Sequence, residues 1–317
     1  MYKILVLGAG VFGTTMASLL ANKNYDVTLW DRNEEKINFL KKNRKHPNIN
    51  IFIPDNLKIV NLFQEQNFDF IVLAVSAQAI REVVIKFKKF FYDYTTIVIL
   101  SKGIEIKSFK RLSQVVKEEI FNKNVVALYG PTHALNIVNK EPSLMVASSE
   151  IRENALKVKD LFENDFLKID IDDDLVGIEL AASFKNCMAI AYGIIEGLGY
   201  SYNTKAALIT YALNEMVSIS NHFGAKYSTF LTAAGVGDLI VTCLNGRNRS
   251  VGEKLGKGLK ISEIINNMSE VSEGVVTLKA IYELCKKEKI EAKIIDLLYS
   301  IIYENKDVEA ILEFINK

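Results

Sequence analysis

The sequence begins MYKILVLGAGVFGTTMASLL (Met1–Leu20), and this stretch decides the fold. Ile4–Leu7 is a short apolar run, typical of a strand buried on both faces, and a helix is predicted directly after the glycines that follow it. Gly8, Gly10 and Gly13 have the spacing G-x-G-x-x-G, which permits a tight turn, a close approach to a pyrophosphate and close packing of helix on strand. The stretch therefore predicts a dinucleotide site at a helix N-terminus, with a purely structural turn as the alternative.

The bulk composition is that of an ordinary globular protein. The 317 residues suffice for two domains, and 49% of them are hydrophobic and 24% charged. The net charge of +1 gives no indication of a nucleic-acid partner. Cys187, Cys243 and Cys285 are few, odd in number and far apart, which favours reduced thiols. The chain shows neither a signal-peptide pattern nor an uncharged apolar segment long enough to span a bilayer, so we expect a soluble cytoplasmic protein.

Strand-like and helix-like segments alternate through the first half of the chain. They predict an α/β fold, a parallel doubly wound sheet over residues 1–174, with ligands beyond the carboxyl ends of its strands. From Leu175 helical periodicity dominates, which predicts an all-helical domain over residues 175–317. Asp172–Asp174 is interpreted as the boundary rather than as a metal site, because three successive side chains cannot all face one ion. The later predicted strands are Tyr25–Trp30, Phe68–Val75, Thr95–Leu100, Val125–Leu128, Leu144–Ala147 and Lys168–Ile171, and Ser76–Phe91 is predicted as a helix.

Two adjacent charged residues follow the second predicted strand. Asp31 lies about 20 residues beyond the glycines, where an acid hydrogen-bonds the adenosine ribose and favours NAD. Arg32 favours NADP instead, because its guanidinium can bind the 2′-phosphate of that cofactor. The two signals conflict and leave the cofactor preference open, and a solvated charge pair at a strand end is the alternative interpretation.

Two further segments end predicted strands at the ligand edge of the sheet. Lys102 is a candidate ligand to a substrate oxygen, with a solvated loop lysine as an equal alternative. The turn Gly130–Ala134 follows the next strand. Within it, His133 is interpreted as a packing residue rather than as a catalyst.

Lys185 is the unusual residue of the long helix predicted over Leu175–Ile195. Its neighbours at helical spacing are apolar, so a buried ammonium there would have a lowered pKa and suit proton exchange near neutrality. A lysine at the helix edge, with its ammonium reaching water, is the alternative.

Residues 233–252, AAGVGDLIVTCLNGRNRSVG, carry two further candidates. Asp238 follows two glycines and is expected in a rigid loop, where it is either a site residue or an ordinary turn residue. Arg247, Asn248 and Arg249 form a compact set of donors that matches a phosphate, with a basic surface loop as the alternative.

Taken together, these segments resemble bacterial-type NAD(P)-dependent glycerol-3-phosphate dehydrogenases over nearly the whole chain. The glycine loop is shared with many dehydrogenases, whereas the two lysines combined with G-D-L-x-x-T-C and R-N-R are more specific. The chain departs from the family at Gly246, where serine is usual, at His133, where phenylalanine is common, and at Asn139–Ser143. The motifs that carry the resemblance are GAGVFGTTMA (Gly8–Ala17), SKGIE (Ser101–Glu105), GPTHA (Gly130–Ala134), FKN (Phe184–Asn186), AGVGDLIVTC (Ala234–Cys243), GRNRSVG (Gly246–Gly252) and SEGVVT (Ser272–Thr277).

The resemblance implies a Rossmann-like sheet followed by an all-α domain, as in 6-phosphogluconate-dehydrogenase-like proteins. It implies that Lys185 is the catalytic acid/base and that Lys102 holds and polarises the substrate oxygen. The substrate-binding positions it implies are Lys102, Gly130, Thr132, Asp238, Arg247 and Asn248. The cofactor-binding positions it implies are Gly8, Gly10, Val11, Phe12, Gly13, Arg32, Lys102, Ala134, Arg247, Val271 and Glu273.

The implied reaction is the reduction of dihydroxyacetone phosphate to sn-glycerol 3-phosphate by NADH or NADPH, without a metal, in supply of glycerophospholipid synthesis. A homodimer is expected, with no nucleic-acid partner and no integral membrane segment. Two rival interpretations are a related reductase acting on a hydroxyacid or an acyl-thioester, and a non-catalytic NAD(P)-sensing protein. The first requires a carboxylate- or CoA-binding element that the sequence lacks, and the second predicts loss of Lys185 or Lys102.

Overall fold

In a computed structural model the chain is described over residues 1–49, 51–62, 67–268 and 272–315. It divides into two compact units. The first unit comprises Met1–Lys102 and Leu112–Leu175, and the second comprises Gly103–Arg111 and the chain from Val176 onward.

The first unit is built on one sheet, with the strand order β3-β2-β1-β4-β5-β6-β7-β8. All neighbouring strands are parallel except β6 and β7, which pair antiparallel with Leu128 opposite Ala147. The order reverses between β1 and β4, where Leu7 pairs with Leu73, so the switch point of the sheet lies at the end of β1. The strands are β1 (Lys3–Leu7), β2 (Asp26–Trp30), β3 (Lys58–Val60), β4 (Phe70–Leu73), β5 (Thr96–Ile99), β6 (Val125–Tyr129), β7 (Ser143–Ser148) and β8 (Leu167–Asp172).

Helices join and cover these strands because most strands carry apolar side chains on both faces. β1 is buried from its second residue to its end, and β4, β5 and β6 are buried throughout. The helices are α1 (Val11–Asn22), α2 (Glu34–Asn43), α3 (Ile80–Lys86), α4 (Leu112–Ile120), α5 (Ala134–Val138) and α6 (Arg152–Phe162). Short 3₁₀ turns at Ala77–Ala79 and Lys88–Phe90 flank α3.

The doubly wound α/β class predicted from the sequence is confirmed, with three corrections of detail. The expectation of an entirely parallel sheet is wrong for β7, because the chain turns back at the edge where β6 ends. A strand that is apolar on both faces reads the same in either direction, so its sequence carries no sign of this. The three residues of β3 were not predicted, since so short a run has no periodicity. The helix predicted over Ser76–Phe91 is interrupted and reduces to α3 with two 3₁₀ turns.

The second unit is helical over the residues that the structure describes. Its main helix is α7 (Leu175–Gly197), which packs into an apolar core with residues of the other helices and with Ile104. The remaining helices are α8 (Tyr202–His222), α9 (Asp238–Leu244), α10 (Arg247–Gly256), α11 (Ile261–Asn266), α12 (Glu273–Glu288) and α13 (Lys293–Tyr303), with 3₁₀ turns at Tyr227–Leu231 and Val308–Ile315 and a π-helical turn at Ala233–Gly237.

Glycines bring α7 and α10 into backbone contact. A Cβ on Gly193 would lie 2.1 Å from the Arg249 carbonyl oxygen, and one on Gly252 would lie 2.0 Å from the Ile190 carbonyl oxygen. No side chain fits at such distances, so glycine is required for this helix pair to approach. The contact fixes the start of α10, and with it Arg247 and Asn248, relative to α7.

Among the described residues, α7 is the one helix long and apolar enough to cross a membrane, with a mean hydropathy of 1.3 over its 18-residue window. The whole of that window is buried inside the protein. The core helix of a globular unit meets the same criteria, and its complete burial makes α7 a core helix of the second unit.

A buried carboxylate caps α13 and gives a testable pH dependence. Glu215 on α8 accepts hydrogen bonds from the backbone N–H groups of Ile294 at 2.8 Å and Ile295 at 3.0 Å. Burial raises the pKa of Glu215 from 4.5 to about 7, although the N–H groups oppose the shift. Between these two pH values the folded protein holds a proton that the unfolded chain has released, so the stability contributed by this group falls as pH rises.

We expect the wild-type free energy of unfolding to fall between pH 5 and pH 8, relative to a Glu215→Gln variant, by roughly 2 kcal/mol. Chemical denaturation at both pH values measures the difference. Glu283→Gln, which changes a partly exposed acid of α12 that pairs with Lys279, is the control and should follow the wild type. Parallel pH profiles for wild type and Glu215→Gln would refute the assignment.

Candidate active site

The glycine loop joins β1 to α1 at the switch point of the sheet. A Cβ on Gly8 would lie 2.6 Å from the Ala74 carbonyl oxygen, and one on Gly13 would lie 2.0 Å from the Gly8 carbonyl oxygen, so both positions require glycine. Gly10 is the N-cap of α1 and has nothing within 4 Å of its Cβ position. The close contacts at Gly8 and Gly13 match the predicted tight turn and close packing of helix on strand. The role of Gly10 in ligand approach stays a prediction. The helix begins at Val11, earlier than predicted, so the free N–H groups of its first turn lie next to the open space at Gly10.

Asp31 at the end of β2 is buried and fixes this loop. One of its oxygens, Oδ2, accepts from the Ala9 N–H and from Lys36 Nζ, both at 2.9 Å, and Oδ1 accepts from the Asn33 N–H at 2.9 Å. A carboxylate has about four acceptor positions, so at most one remains for a ribose hydroxyl. Arg32, the next residue, is exposed. The loop and the end of β2 therefore fit a dinucleotide, and the preference between NAD and NADP stays open.

The carboxyl ends of β5 and β6 bring Lys102 to the Gly130 turn. Lys102 Nζ donates to the Gly130 carbonyl oxygen at 3.3 Å and lies 5.9 Å from the centre of the Tyr129 ring. The Tyr129 hydroxyl donates to the Ser101 carbonyl at 2.7 Å. The Lys102 side chain is thus half-buried and held at the ligand edge of the sheet, which favours the site interpretation over a solvated loop lysine.

The rest of the turn after β6 is closely packed. A Cβ on Gly130 would lie 2.6 Å from the Leu144 carbonyl oxygen, so glycine is required there as well. The Thr132 N–H donates to the Gly130 carbonyl oxygen at 2.8 Å. His133 is the N-cap residue of α5, and Ala134 is the first residue of that helix.

Lys185 and Asp238 meet inside the second unit. Lys185 is 5% exposed and Asp238 is 1% exposed, and Lys185 Nζ lies 2.6 Å from Asp238 Oδ1. The ammonium also donates to Thr242 Oγ1 at 2.8 Å, while that hydroxyl donates to the Asp238 carbonyl oxygen at 2.6 Å. The apolar stripe predicted on α7 is present, and the ammonium in it is buried and paired with a carboxylate instead of reaching water.

Asp238 is the first residue of α9, so the prediction that it lies in a loop is wrong. The glycines before it belong to a π-helical turn, and a Cβ on Gly235 would lie 2.3 Å from the Phe230 carbonyl oxygen. This packing requires glycine in a helical segment, whereas the sequence pattern alone favoured a turn. The result is a carboxylate held rigidly at the start of a helix.

The donors Arg247, Asn248 and Arg249 do not act as one cluster. The Asn248 amide donates to Asn186 Oδ1 at 3.0 Å and accepts from the Ser272 hydroxyl at 2.6 Å and the Gly274 N–H at 3.0 Å. Asn248 therefore links α7, α10 and the start of α12. Because its side chain is buried and engaged within the protein, the predicted phosphate contact of Asn248 stays a prediction.

Arg249 pairs with acidic residues of the same unit. Its guanidinium lies 2.6 Å from Glu196 and 3.2 Å from Glu253, and Lys205 and Lys257 extend this network of charges. Arg247, in contrast, is an exposed residue at the start of α10. Of the three, Arg247 has the most exposed side chain, and its predicted contact with a ligand phosphate stays a prediction.

Gly246 explains one departure from the family pattern. Its φ of +142° lies in a region that residues with side chains rarely adopt, so the turn before α10 favours glycine over serine.

Of the two predicted cofactor contacts in the last part of the chain, Glu273 is the first residue of α12, and Val271 lies outside the described residues.

The cysteines and acidic residues add no reactive or metal-binding site in the described part of the chain. All three cysteines are free, in agreement with the predicted reduced thiols, and all three are buried. Burial raises the pKa of Cys243 to about 12, although Lys185 opposes the shift. No group of three metal-ligating side chains occurs among the described residues. Asp173 instead pairs with Arg152 at 2.6 Å.

Thr242, Asn186 and Ser272 are site residues that the sequence reasoning did not assign. Thr242 follows Asp238 by four positions, and this helical spacing could have placed both side chains on one face of α9. Asn186 adjoins Lys185. The contact of Ser272 with Asn248 spans 24 residues and has no local signal.

The chain has a glycine loop at the switch point of its sheet and a helical unit with a buried lysine–carboxylate pair. This combination is typical of dehydrogenases that use a nicotinamide dinucleotide. Family comparison makes this specific. The family model described as NAD-dependent glycerol-3-phosphate dehydrogenase N-terminus matches residues 3–155, and the one described as its C-terminus matches residues 174–313. The chain belongs to the NAD-dependent glycerol-3-phosphate dehydrogenase family and is an NAD(P)-dependent oxidoreductase.

Individual relatives agree over almost their whole length. The chain is 41% identical to a glycerol-3-phosphate dehydrogenase [NAD(P)+] of Chlorobium chlorochromatii, covering 99% of this chain and 97% of the relative. It is 38% identical to a protein of the same name from Clostridium tetani, covering 96% and 89%. The crystal structure of glycerol-3-phosphate dehydrogenase from Coxiella burnetii superposes with a TM-score of 0.92 at 28% identity, covering 100% and 99%.

Proposed function

We propose that this chain reduces dihydroxyacetone phosphate to sn-glycerol 3-phosphate with NADH or NADPH, and that Lys185 is the acid/base. The observation that carries the proposal is the Lys185–Asp238 pair, with Nζ 2.6 Å from Oδ1 in a buried setting. A charge-paired ammonium with a fixed position is suited to deliver a proton to a forming alkoxide. The rival interpretation as a non-catalytic sensor predicts loss of this lysine, which is present.

The chemistry balances with one hydride and one proton. Bound NADH or NADPH supplies the hydride to the C2 carbonyl carbon. Lys185 gives one N–H proton to the carbonyl oxygen, and the neutral amine is reprotonated from solvent. Asp238 and Thr242 hold the amine in place during this exchange.

Two cations are proposed to bind the substrate. Lys102 would stabilise negative charge on the carbonyl oxygen, as a fixed positive group does in a low-dielectric site. Arg247 would hold the phosphate with its planar guanidinium and also contact the cofactor. Gly130, Thr132 and Asn248 are proposed to line the substrate site.

The dinucleotide is proposed to lie on the first unit. Gly8, Gly10 and Gly13, with Val11 and Phe12, would hold the pyrophosphate, and no step of the reaction depends on a metal. Arg32, Ala134, Val271 and Glu273 are the further proposed cofactor contacts. On this proposal residues 1–174 are the dinucleotide-binding domain and residues 175–317 the substrate and catalytic domain.

The family resemblance also supports a cytoplasmic homodimer whose product supplies glycerophospholipid synthesis. Size measurement in solution tests the dimer. These attributes are separate from the reaction, so an observed monomer leaves the assignment of Lys185 untouched.

Purified protein should consume NADH or NADPH only when dihydroxyacetone phosphate is added, as measured by loss of absorbance at the reduced-nicotinamide band.

Arg32→Ala should raise the KM for NADPH by about tenfold and leave the KM for NADH nearly unchanged, because only NADPH carries the 2′-phosphate. Arg152→Ala, which alters an exposed arginine paired with Asp173, is the matched control. Unchanged NADPH kinetics would remove Arg32 from the cofactor site, and absence of substrate-dependent oxidation would refute the proposed reaction.

A further inference from the structure

An acid and two cations lie close together in sequence where β2 ends. Asp31 is followed by the exposed Arg32, and Lys36 lies in the first turn of α2. The Asn33 side chain caps this helix by accepting a hydrogen bond from the backbone N–H of Lys36 at 2.9 Å. The cap fixes the start of α2, so Lys36 is held beside the end of β2.

The carboxylate of Asp31 forms its ion pair with Lys36. Lys36 Nζ lies 2.9 Å from Asp31 Oδ2, and the side chain of Asp31 is only 12% exposed. Water screens such a pair less than it screens a pair on an open surface. The ammonium of Lys36 therefore offsets the negative charge at this strand end, and Arg32 adds a further positive charge next to it.

The hydrogen bonds of Asp31 leave room for one further donor. Oδ2 accepts from the Ala9 N–H and from Lys36 Nζ, and Oδ1 accepts from the Asn33 N–H, so three of about four acceptor positions are occupied. The adenosine ribose of NADH presents a 2′- and a 3′-hydroxyl. That of NADPH carries a phosphate on its 2′-oxygen and presents only the 3′-hydroxyl. The single remaining acceptor position thus matches the one hydroxyl of NADPH.

We propose that Lys36 is a specificity-determining residue that admits NADPH, because it neutralises the acid that would otherwise repel the 2′-phosphate. The inference rests on the proposed binding of the cofactor at the glycine loop. An unpaired acid at the end of this strand favours NADH, since it accepts a hydrogen bond from the ribose 2′-hydroxyl and repels a phosphate at the same place. Pairing of Asp31 with an ammonium weakens both effects while the acid itself stays in place to hold the loop.

The test is equilibrium binding of NADPH and of NADH, each followed by the fluorescence of its reduced nicotinamide. Wild-type protein should bind NADPH at least as tightly as NADH. Lys36→Met removes the ammonium but leaves Asp31 with its two backbone donors, so the loop should keep its conformation. The Kd for NADPH should rise about tenfold in this variant, and the Kd for NADH should stay within about threefold of wild type.

Two further variants separate the charge of Lys36 from other effects of the substitution. Lys36→Arg keeps a cation at this position, so both Kd values should stay within about threefold of wild type. Lys58→Met is the matched control, because Lys58 on β3 pairs with Asp26 at the opposite end of β2, with Nζ 2.6 Å from Oδ1. It removes the same kind of ion pair from the same sheet and should leave the ratio of the two Kd values unchanged.

The outcomes separate this inference from the proposed function. Wild-type protein that binds neither cofactor would refute the proposed cofactor site itself. An unchanged ratio of the two Kd values in Lys36→Met would overturn the role of Lys36 alone, because a merely structural residue affects both cofactors alike. Wild-type protein that binds NADH more tightly than NADPH would overturn it as well. If Lys36→Met does not fold, Lys36→Gln, which keeps a neutral donor, decides: a raised Kd for NADPH alone supports the inference, and an unchanged ratio overturns it.

Discussion

Replacing Lys185 with methionine is expected to lower kcat by about 10²- to 10⁴-fold, the contribution that a positioned general acid typically makes. The Lys185 side chain is buried beside Asp238 and Thr242, so water cannot readily take the place of its ammonium as the proton donor. The Kd for NADH should change little, because Lys185 is not among the proposed cofactor contacts. Steady-state kinetics and NADH binding on the same preparation measure both effects.

Stability must be controlled in this experiment, because Lys185→Met leaves the Asp238 carboxylate buried without its cation. Such a change costs about 3–5 kcal/mol in other proteins. The double variant Lys185→Met/Asp238→Asn removes both charges and should recover most of that stability while kcat stays low. Lys205→Met is the matched control, since Lys205 is also a partly buried lysine of the second unit, paired with Glu196 at 3.0 Å.

Two outcomes would contradict the assignment of Lys185. Turnover within tenfold of wild type in a folded Lys185→Met variant would exclude a catalytic role. A comparable loss of kcat in Lys205→Met would show that the effect reflects general damage to the helical unit. Loss of NADH binding in Lys185→Met would likewise indicate damage beyond the acid/base step.

Gly252→Ala is expected to lower the free energy of unfolding far more than a glycine-to-alanine change at an uncrowded position. The new Cβ would lie 2.0 Å from the Ile190 carbonyl oxygen and 2.9 Å from Gly193 Cα, and both are backbone atoms that cannot rotate away. Helices α7 and α10 must separate, which opens the core around them. We expect a loss of about 3 kcal/mol or more, measured by chemical denaturation.

Gly224→Ala is the control, because it separates the cost of a steric clash from the cost of placing alanine at a positive φ. Gly224 has a φ of +85° and nothing within 4 Å of its Cβ position, so its substitution should cost about 1 kcal/mol through conformation alone. Equal losses in the two variants would show that α7 and α10 adjust to a methyl group and that their close contact is not required.

Local patterns predicted much of the fold and several candidate residues. The strand, the glycine triplet and the helix of the first 20 residues indicated the dinucleotide-binding fold, because each glycine has a local steric or ligand-related reason. The change from alternating strands to helices indicated a helical second half. The lysine in the apolar stripe of α7 indicated a buried ammonium.

Other features depended on residues that meet only after folding. The antiparallel direction of β7 could not be predicted, since its apolar run Leu144–Ala147 has the same pattern in either direction. The partner of Lys185, Asp238, lies 53 positions away, and Ser272, which bonds Asn248 from the residue before α12, lies 24 positions away.

The class of fold, the position of the glycine loop and the residue types available for chemistry follow from the linear sequence, because they depend on neighbouring residues and short periodicities. The pairing of charges, the engagement of donors and the contacts of glycines with another backbone are set only when the chain has folded. Those properties arise from contacts between segments brought together by burial of the two cores, and a linear pattern does not contain the distances between them.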